Sequence, residues 1–294
     1  MKLHDDGAGL TVHYGHQQLL RYVYRPNDAR LESPRPYFHP LRTLAGQEVT
    51  AYRPEDHVWH KGLSLSLPHV GSQNLWGGVT WVRGRGYQQL DNNGSMRHIG
   101  FDDAVVDEGL VRVAQRLEWL TSSEERFFTE QRRVLTRVSP DLRAWVLGFA
   151  TRFANVSGTP VVIGSPTTNG RPDAGYGGLF WRGPGSFTGG LVHSPDGDGS
   201  DELMAVRSPW LGVTGRASTV LMIDAPENPG YPTRWFVRST PFACLCPAPF
   251  FDAETTIAPG ETMALRYAVV VADPGAAEIA LLARLGVQTL AAWQ

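Results

Sequence analysis

The chain is almost free of lysine: of its 27 basic side chains only Lys2 and Lys61 are lysines, against 25 arginines. Cysteine is as scarce, with only Cys244 and Cys246, two residues apart in Phe-Ala-Cys-Leu-Cys-Pro. Neighbours so spaced on a strand point to one face and cannot readily take disulfide geometry, so packing is their expected role. Without a second cysteine pair they give only a weak zinc signal. No stretch approaches the roughly 18 apolar residues of a membrane span. Residues 1–9 are polar, carry Asp5 and Asp6 and lack the apolar core of a secretory leader, so a cytoplasmic location is expected. A net charge of −2 gives no electrostatic footprint for nucleic acid or a membrane surface. P-loop, Gly-x-Gly-x-x-Gly, Gly-x-Ser-x-Gly and His-Glu-x-x-His patterns are missing, so no cofactor is expected, nucleotides least of all.

What the chain does contain is 32 glycines and 21 prolines spread among short runs rich in valine, leucine and aromatics, the pattern of strands cut by turns. Candidate strands fall at 10–13, 19–24, 37–41, 63–67, 110–120, 127–137, 144–155, 188–193, 219–224, 235–239 and 263–272. Several alternate with period two, which places one face against a core. The fold class is therefore all-β, with two packed sheets in a single domain over residues 1–294. One helix is expected near the C-terminus, because Asp273-Pro-Gly-Ala-Ala-Glu offers an N-cap and a proline at the first turn before Ile279, Leu282 and Leu285. Gly286 is expected to interrupt it. Asn92-Asn93-Gly94 reads as a tight hairpin and residues 196–199 as a mobile loop.

Site chemistry concentrates between Pro36 and Trp76, where His39, His57 and His60 lie among Asp56, Trp59, Lys61, Asn74 and Trp76. His57 and His60 are three residues apart, which on an extended strand puts them on opposite faces, so both reach one site only if the segment bends between Pro54 and Gly62. His98 is a candidate to join them in one cleft. Imidazole is the commonest general acid or base near neutral pH, and Asp56, Glu130 or Glu254 are candidate partners. The same histidines would suit a first-row transition ion. Lys61 is either chemical, as an ammonium whose pKa moves on burial, or the one position that escaped a strong arginine bias. A second dense segment, residues 164–184, reads as a long irregular loop in which Tyr176, Trp181 and Arg182 supply a stacking face and bidentate donors, or as a loop that merely pins itself down.

Pro-Tyr-Phe-His-Pro-Leu (36–41), Asp-His-x-x-His-x-Gly-Leu (56–63), Asn-Leu-Trp-Gly-Gly (74–78), Tyr-Gly-Gly-Leu-Phe-Trp-Arg-Gly (176–183), Phe-Val-Arg (236–238) and Pro-Phe-Phe-Asp (249–252) together resemble the bacterial family labelled PmoA, or methane oxygenase PmoA. The early histidine-rich segment followed by a tryptophan and long alternating strands is similar to the galactose-mutarotase-like supersandwich proteins. That resemblance implies a sugar ligand in a groove on one broad sheet, a histidine as general acid and a carboxylate as general base; no motif here matches the family's late catalytic glutamate, so the base is unassigned and Glu254 is a candidate by position alone. The expectation is a carbohydrate-binding protein acting on a sugar or sugar derivative by histidine-based proton transfer, of epimerase, lyase or hydrolase type. His39, His57, His60 and His98 are the catalytic candidates; Trp59, Lys61, Asn74, Trp76, Tyr176, Trp181 and Arg182 are the substrate-binding ones. The alternatives are a non-catalytic carbohydrate-binding module built on Trp59, Trp76 and Trp181, and a jelly-roll metal-dependent enzyme using His57, His60 and His98. The expected partner is a small carbohydrate, with neither nucleic acid nor membrane.

Overall fold

Short apolar strands with half-polar faces gain stability only by pairing and by covering one face, and here they assemble into two large antiparallel sheets. The computed structural model describes residues 1–293. The main path of an eleven-stranded sheet runs through Lys2–Asp5, Gly9–Tyr14, Gln17–Val23, Tyr37–Leu41, Leu63–Val70, Gly178–Arg182, Cys244–Ala248 and Arg234–Arg238. A nine-stranded sheet lays the long strands Thr262–Ala272, Ala144–Asn155, Arg126–Ser139, Leu110–Leu120 and Ser95–Asp107 side by side. The two inner faces share one apolar core, to which Leu63, Leu65, Leu67, Trp181, Trp235 and Val237 contribute from the first sheet and Trp119, Phe128, Phe149 and Tyr267 from the second. Full burial of each Val, Leu or Phe stabilises by about 1.5–3 kcal/mol.

A polar strut crosses this core. Arg132 donates to Glu130 (2.7 Å) within the nine-stranded sheet and to the Tyr22 hydroxyl (3.2 Å) on the other, and Trp119 Nε1 donates to Glu130 (2.6 Å). Glu130, one of the candidate catalytic carboxylates, is thus committed inside the sandwich.

The helix, Ile279–Ala292, covers the outer face of the nine-stranded sheet through Leu282, Leu285 and Leu290. It starts later than expected, at an N-cap on Glu278, because the Asp273 carboxylate instead accepts the Ala45 N–H at 2.8 Å. Gly286 does not interrupt it. Of residues 164–184, 165–177 and 183–184 are irregular, while Gly178–Arg182 is a paired strand. Asn93 is buried and bridges Asn74, so the Asn-Asn-Gly run is no hairpin tip, whereas residues 195–196 turn between Leu191–Ser194 and Gly197–Gly199. No helix among the described residues is long and apolar enough to cross a membrane.

Candidate functional site

Alternation along three neighbouring strands builds the floor of the site. On Gly178–Arg182, Leu179 and Trp181 enter the sandwich core, so Phe180 and Arg182 stand on the opposite, outer face. On Arg234–Arg238, Trp235 and Val237 point inward and Phe236 and Arg238 outward. Cys244 and Cys246 lie on the same outer side, packed with Phe180 and Phe236, and burial pushes the Cys244 thiol up to about 12. They are inert packing groups.

Two loops wall this floor. Residues 53–62 fold through consecutive turns, with His57 N–H donating to Pro54 (3.0 Å), His60 N–H to His57 (2.9 Å) and Arg53 N–H to His60 (2.9 Å). One turn of this kind sets residues three apart side by side, and the imidazoles of His57 and His60 stack at 4.6 Å with an interplanar angle of 8°. Gly62 closes the turn at φ +65°, where an added Cβ would lie 2.4 Å from the Phe38 carbonyl oxygen. The second wall is Trp76 and its following glycines. Asn74 is fully buried and accepts the N–H groups of Trp76 (2.8 Å) and Gly77 (2.9 Å), and at Gly78, φ +66°, a Cβ would sit 2.7 Å from the Trp59 ring. Glycine there is what lets the Trp59 indole lie over the turn.

The result is a cavity of about 450 Å³, lined by His57, His60, Trp59, Trp76, Tyr176, Phe180, Phe236, Phe242, Tyr87, Arg171 and Arg238 among others. That volume is ordinary for a small-molecule site. Trp76 packs against Tyr176 (4.5 Å) and Phe180 (4.7 Å), giving a nearly continuous aromatic wall.

Behind the imidazoles, Asp56 accepts from His57 Nδ1 (2.8 Å) and from Arg182 Nη2 (3.1 and 3.0 Å), and Arg182 Nη1 donates to His60 Nδ1 (3.0 Å). Burial pushes the Asp56 carboxyl up, but the hydrogen bonds from His57 and Arg182 outweigh it and hold it below its ordinary value. Arg182 is itself buried and packs over the Phe242 ring at 3.5 Å. Burial, reinforced by the fields of His57, Arg182 and Arg35, keeps the His60 pKa well below the usual imidazole value. These bonds assign opposite tautomers. Arginine only donates, so His60 Nδ1 is an acceptor and its proton sits on Nε2; a carboxylate only accepts, so His57 carries a proton on Nδ1. In the neutral state the pair therefore offers one ring acceptor, His57 Nε2, and one ring donor, His60 Nε2.

Of the residues anticipated from sequence, His57, Trp59, His60, Trp76 and Tyr176 line one cavity and Arg182 stands directly behind it. The others lie elsewhere. His98 bonds Gln115 (2.8 Å) and packs on Tyr24 and Phe101 (both 4.6 Å) in a different depression, so the three-histidine cleft and the metal set of His57, His60 and His98 do not form. His39 stacks on Tyr52 (5.0 Å) and bonds Thr50 (3.0 Å), outside the cavity lining. Trp181 is fully buried, its indole N–H on the Val49 carbonyl (2.7 Å), because its strand register turns it to the core. Lys61 is buried in a pair with Asp28 (2.9 Å) and Glu32, beneath the loop. Asn74 shapes the turn from within. Glu254 lies beside Gly164, outside the cavity lining. Among the described residues no group of three His, Cys, Asp or Glu is placed to hold a metal ion.

Sequence reasoning missed Phe236, Arg238, Phe242, Tyr87 and Arg171. The first two sit two apart in Arg-Trp-Phe-Val-Arg, a spacing that puts them on one face, but only sheet packing says which face is the site. A further depression of about 450 Å³ on the nine-stranded sheet is lined by Arg116, Glu118, Arg126 and Arg152. Arg116 is paired with Asp102 and Arg126 with Glu118 (both 2.8 Å), an ion-paired surface with no group free for chemistry at those positions.

Comparison with solved structures returns the galactosidase domain of an alpha-galactosidase–sucrose kinase at 9% identity and TM-score 0.46, covering 93% of this chain and 42% of that one. It also returns a galactose mutarotase related enzyme from Lactobacillus acidophilus at 8% identity and TM-score 0.47, covering 92% and 100%. A galactose 1-epimerase from Lactobacillus acidophilus NCFM overlays at 8% identity and TM-score 0.40, covering 92% and 96%. The chain thus spans well under half the length of the first of these, and at such identities and scores the likenesses carry no argument about substrate or chemistry. No curated protein matches the sequence. None of these comparisons supports the PmoA label that the motifs resemble. The family model that matches, over residues 9–284, is that of a family of unknown function, DUF6807, and to that family the chain belongs.

Proposed function

We propose that the cavity binds a saccharide and that His57 moves a proton on it as base, while the neutral His60 donates a hydrogen bond from Nε2 to a sugar oxygen. The observation that carries the reading is the Asp56–His57 and Arg182–His60 network, which fixes an acceptor on one ring and a donor on the other inside an aromatic-walled cavity. Asp56 orients His57 and stabilises its imidazolium once a proton is taken. Trp59, Trp76 and Tyr176 present ring faces on which sugar C–H groups stack. This division of labour departs from the histidine–glutamate pair that the mutarotase resemblance implies, because no carboxylate lines the cavity among the described residues.

Proton NMR of hexoses, uronic acids and keto-sugars incubated with the protein in D2O tests the reading and separates the chemistries. Exchange of anomers or epimers, deuterium uptake at carbon, an unsaturated product and plain cleavage each leave a distinct spectrum. His57→Asn or His60→Asn is expected to lower the observed rate by about 10² to 10⁴, while His39→Asn and His98→Asn leave it unchanged. Saturable quenching of tryptophan fluorescence by a sugar, with no turnover of any, would favour a non-catalytic binding module instead. No response to any saccharide would remove the reading.

A further inference from the structure

Arg238 stands out among the cavity residues. Its neighbour along the strand, Arg234, holds Asp252 at 2.7 Å, and Arg182 on the adjoining surface holds Asp56 at 3.0 Å. Arg238 has no carboxylate and no side-chain hydrogen-bond partner among the described residues; its guanidinium lies 5.6 Å from the Phe236 ring and lines the cavity. Arg171, also in the lining, donates to the Tyr87 hydroxyl and rests over that ring at 4.8 Å, again without a carboxylate. Two fixed positive charges therefore face a cavity whose lining contains no Asp or Glu, while His60 is held neutral and the charge of Arg182 is met by Asp56.

A partly desolvated guanidinium without a counter-charge is costly unless a ligand supplies one. Its planar fork matches a carboxylate through two parallel N–H···O bonds, a fit that a sugar hydroxyl does not give. We infer that the ligand of this cavity is an acidic saccharide, a uronic acid or a sugar acid whose carboxylate is gripped by Arg238, with Arg171 adding to the positive field. This rests on the carbohydrate reading above and names its substrate class.

Calorimetric titration of the whole protein with D-galacturonate and D-glucuronate, their methyl esters, the parent hexoses, glucose 6-sulfate and acetate tests it. The free uronates are expected to bind about 10- to 100-fold more tightly than their esters or the parent hexoses, and that margin should shrink as salt is added. Arg238→Gln should abolish the margin, bringing the uronates down to the affinity of their own methyl esters, and Arg238→Lys should restore only part of it. Equal affinity for uronate and ester in the wild type would overturn the inference while leaving the carbohydrate reading in place. A sulfated sugar matching the uronates would overturn the assignment to a carboxylate. Acetate binding as tightly as uronate, or no saccharide of either charge binding, would overturn the carbohydrate reading itself. The wild-type series decides the matter even if a variant fails to fold.

Discussion

Burying an ammonium is costly unless carboxylates meet it, and Lys61, 1% exposed, meets Asp28 and Glu32 and lies over the Tyr52 ring at 5.1 Å. Glu32 also takes Arg53 at 2.8 Å. Burial pushes its carboxyl up, yet the bonds from Lys61 and Arg53 outweigh this and hold it low. Next to this cluster the buried Arg35 donates to the Glu32 and Ser33 carbonyls (3.0 and 2.9 Å) and to the Trp59 carbonyl (2.8 Å), which fixes the wall of the cavity from behind. The rare lysine is thus a structural cation under the histidine loop. Lys61→Met should leave Asp28 and part of Glu32 buried without a counter-charge and cost about 3–5 kcal/mol, read as a lower urea midpoint at unchanged m-value. A stability within about 0.5 kcal/mol of the wild type would show that the pair holds nothing together. At this scale residue type alone did not separate His57 and His60 from His39 and His98. All four are histidines among aromatics, and only the two that share one turn share one cavity.

Elements fix what residues face. Trp181 and Arg182 are consecutive, so a strand sends one into the core and the other towards the site, and a reading of residues 164–184 as loop could not make that division. The helix shows the same dependence. Glycine inside Ile279–Ala292 weakens the intrinsic helix by about 1 kcal/mol relative to alanine, yet it is kept because the helix lies so close to the sheet. A Cβ at position 286 would come within 2.4 Å of Ile223 Cδ1, 2.8 Å of Ile223 Cγ1 and 3.2 Å of Val270 Cγ2. Gly286→Ala should therefore lower stability by about 1–3 kcal/mol through overpacking rather than raise it. Thermal unfolding should show Ile223→Val, which removes the Cδ1 atom, recovering part of that loss in the double variant. A Gly286→Ala protein more stable than wild type would mean the helix moves freely off the sheet.

For the whole molecule, buried imidazoles set the response to acid. Burial lowers His69 to about 4, and burial together with Arg42 lowers His39 to about 4, while His60 is held lower than its usual range for the reasons given above. Their folded pKa values lie below the unfolded value of about 6.5, so their contribution is present above that pH and is lost as pH falls towards 4. Asp224 works in the opposite sense: burial, outweighing its bonds from Asn228 and Thr233, raises it to about 6, so its contribution is present at low pH and is lost as pH rises through 6. These imidazoles, joined by His98, which burial also lowers, outnumber the one raised carboxyl and predict a lower urea midpoint at pH 5 than at pH 7, with His69→Asn flattening the difference; a midpoint that holds or rises on acidification would sink the account. The all-β class and most strand positions were determined by the sequence itself, because period-two alternation and turn residues are local signals. Cys244 and Cys246, two apart on one strand, were readable as packing for the same reason. Tertiary structure alone decided that Phe236, Arg238, Phe242, Tyr87 and Arg171, distant along the chain, close around His57 and His60, and that Lys61, Trp181 and Glu130 are turned inward. Alternation tells which residues share a face, but which face meets another sheet and which is left as a cavity depends on how two sheets and their loops pack, and no window of sequence contains that.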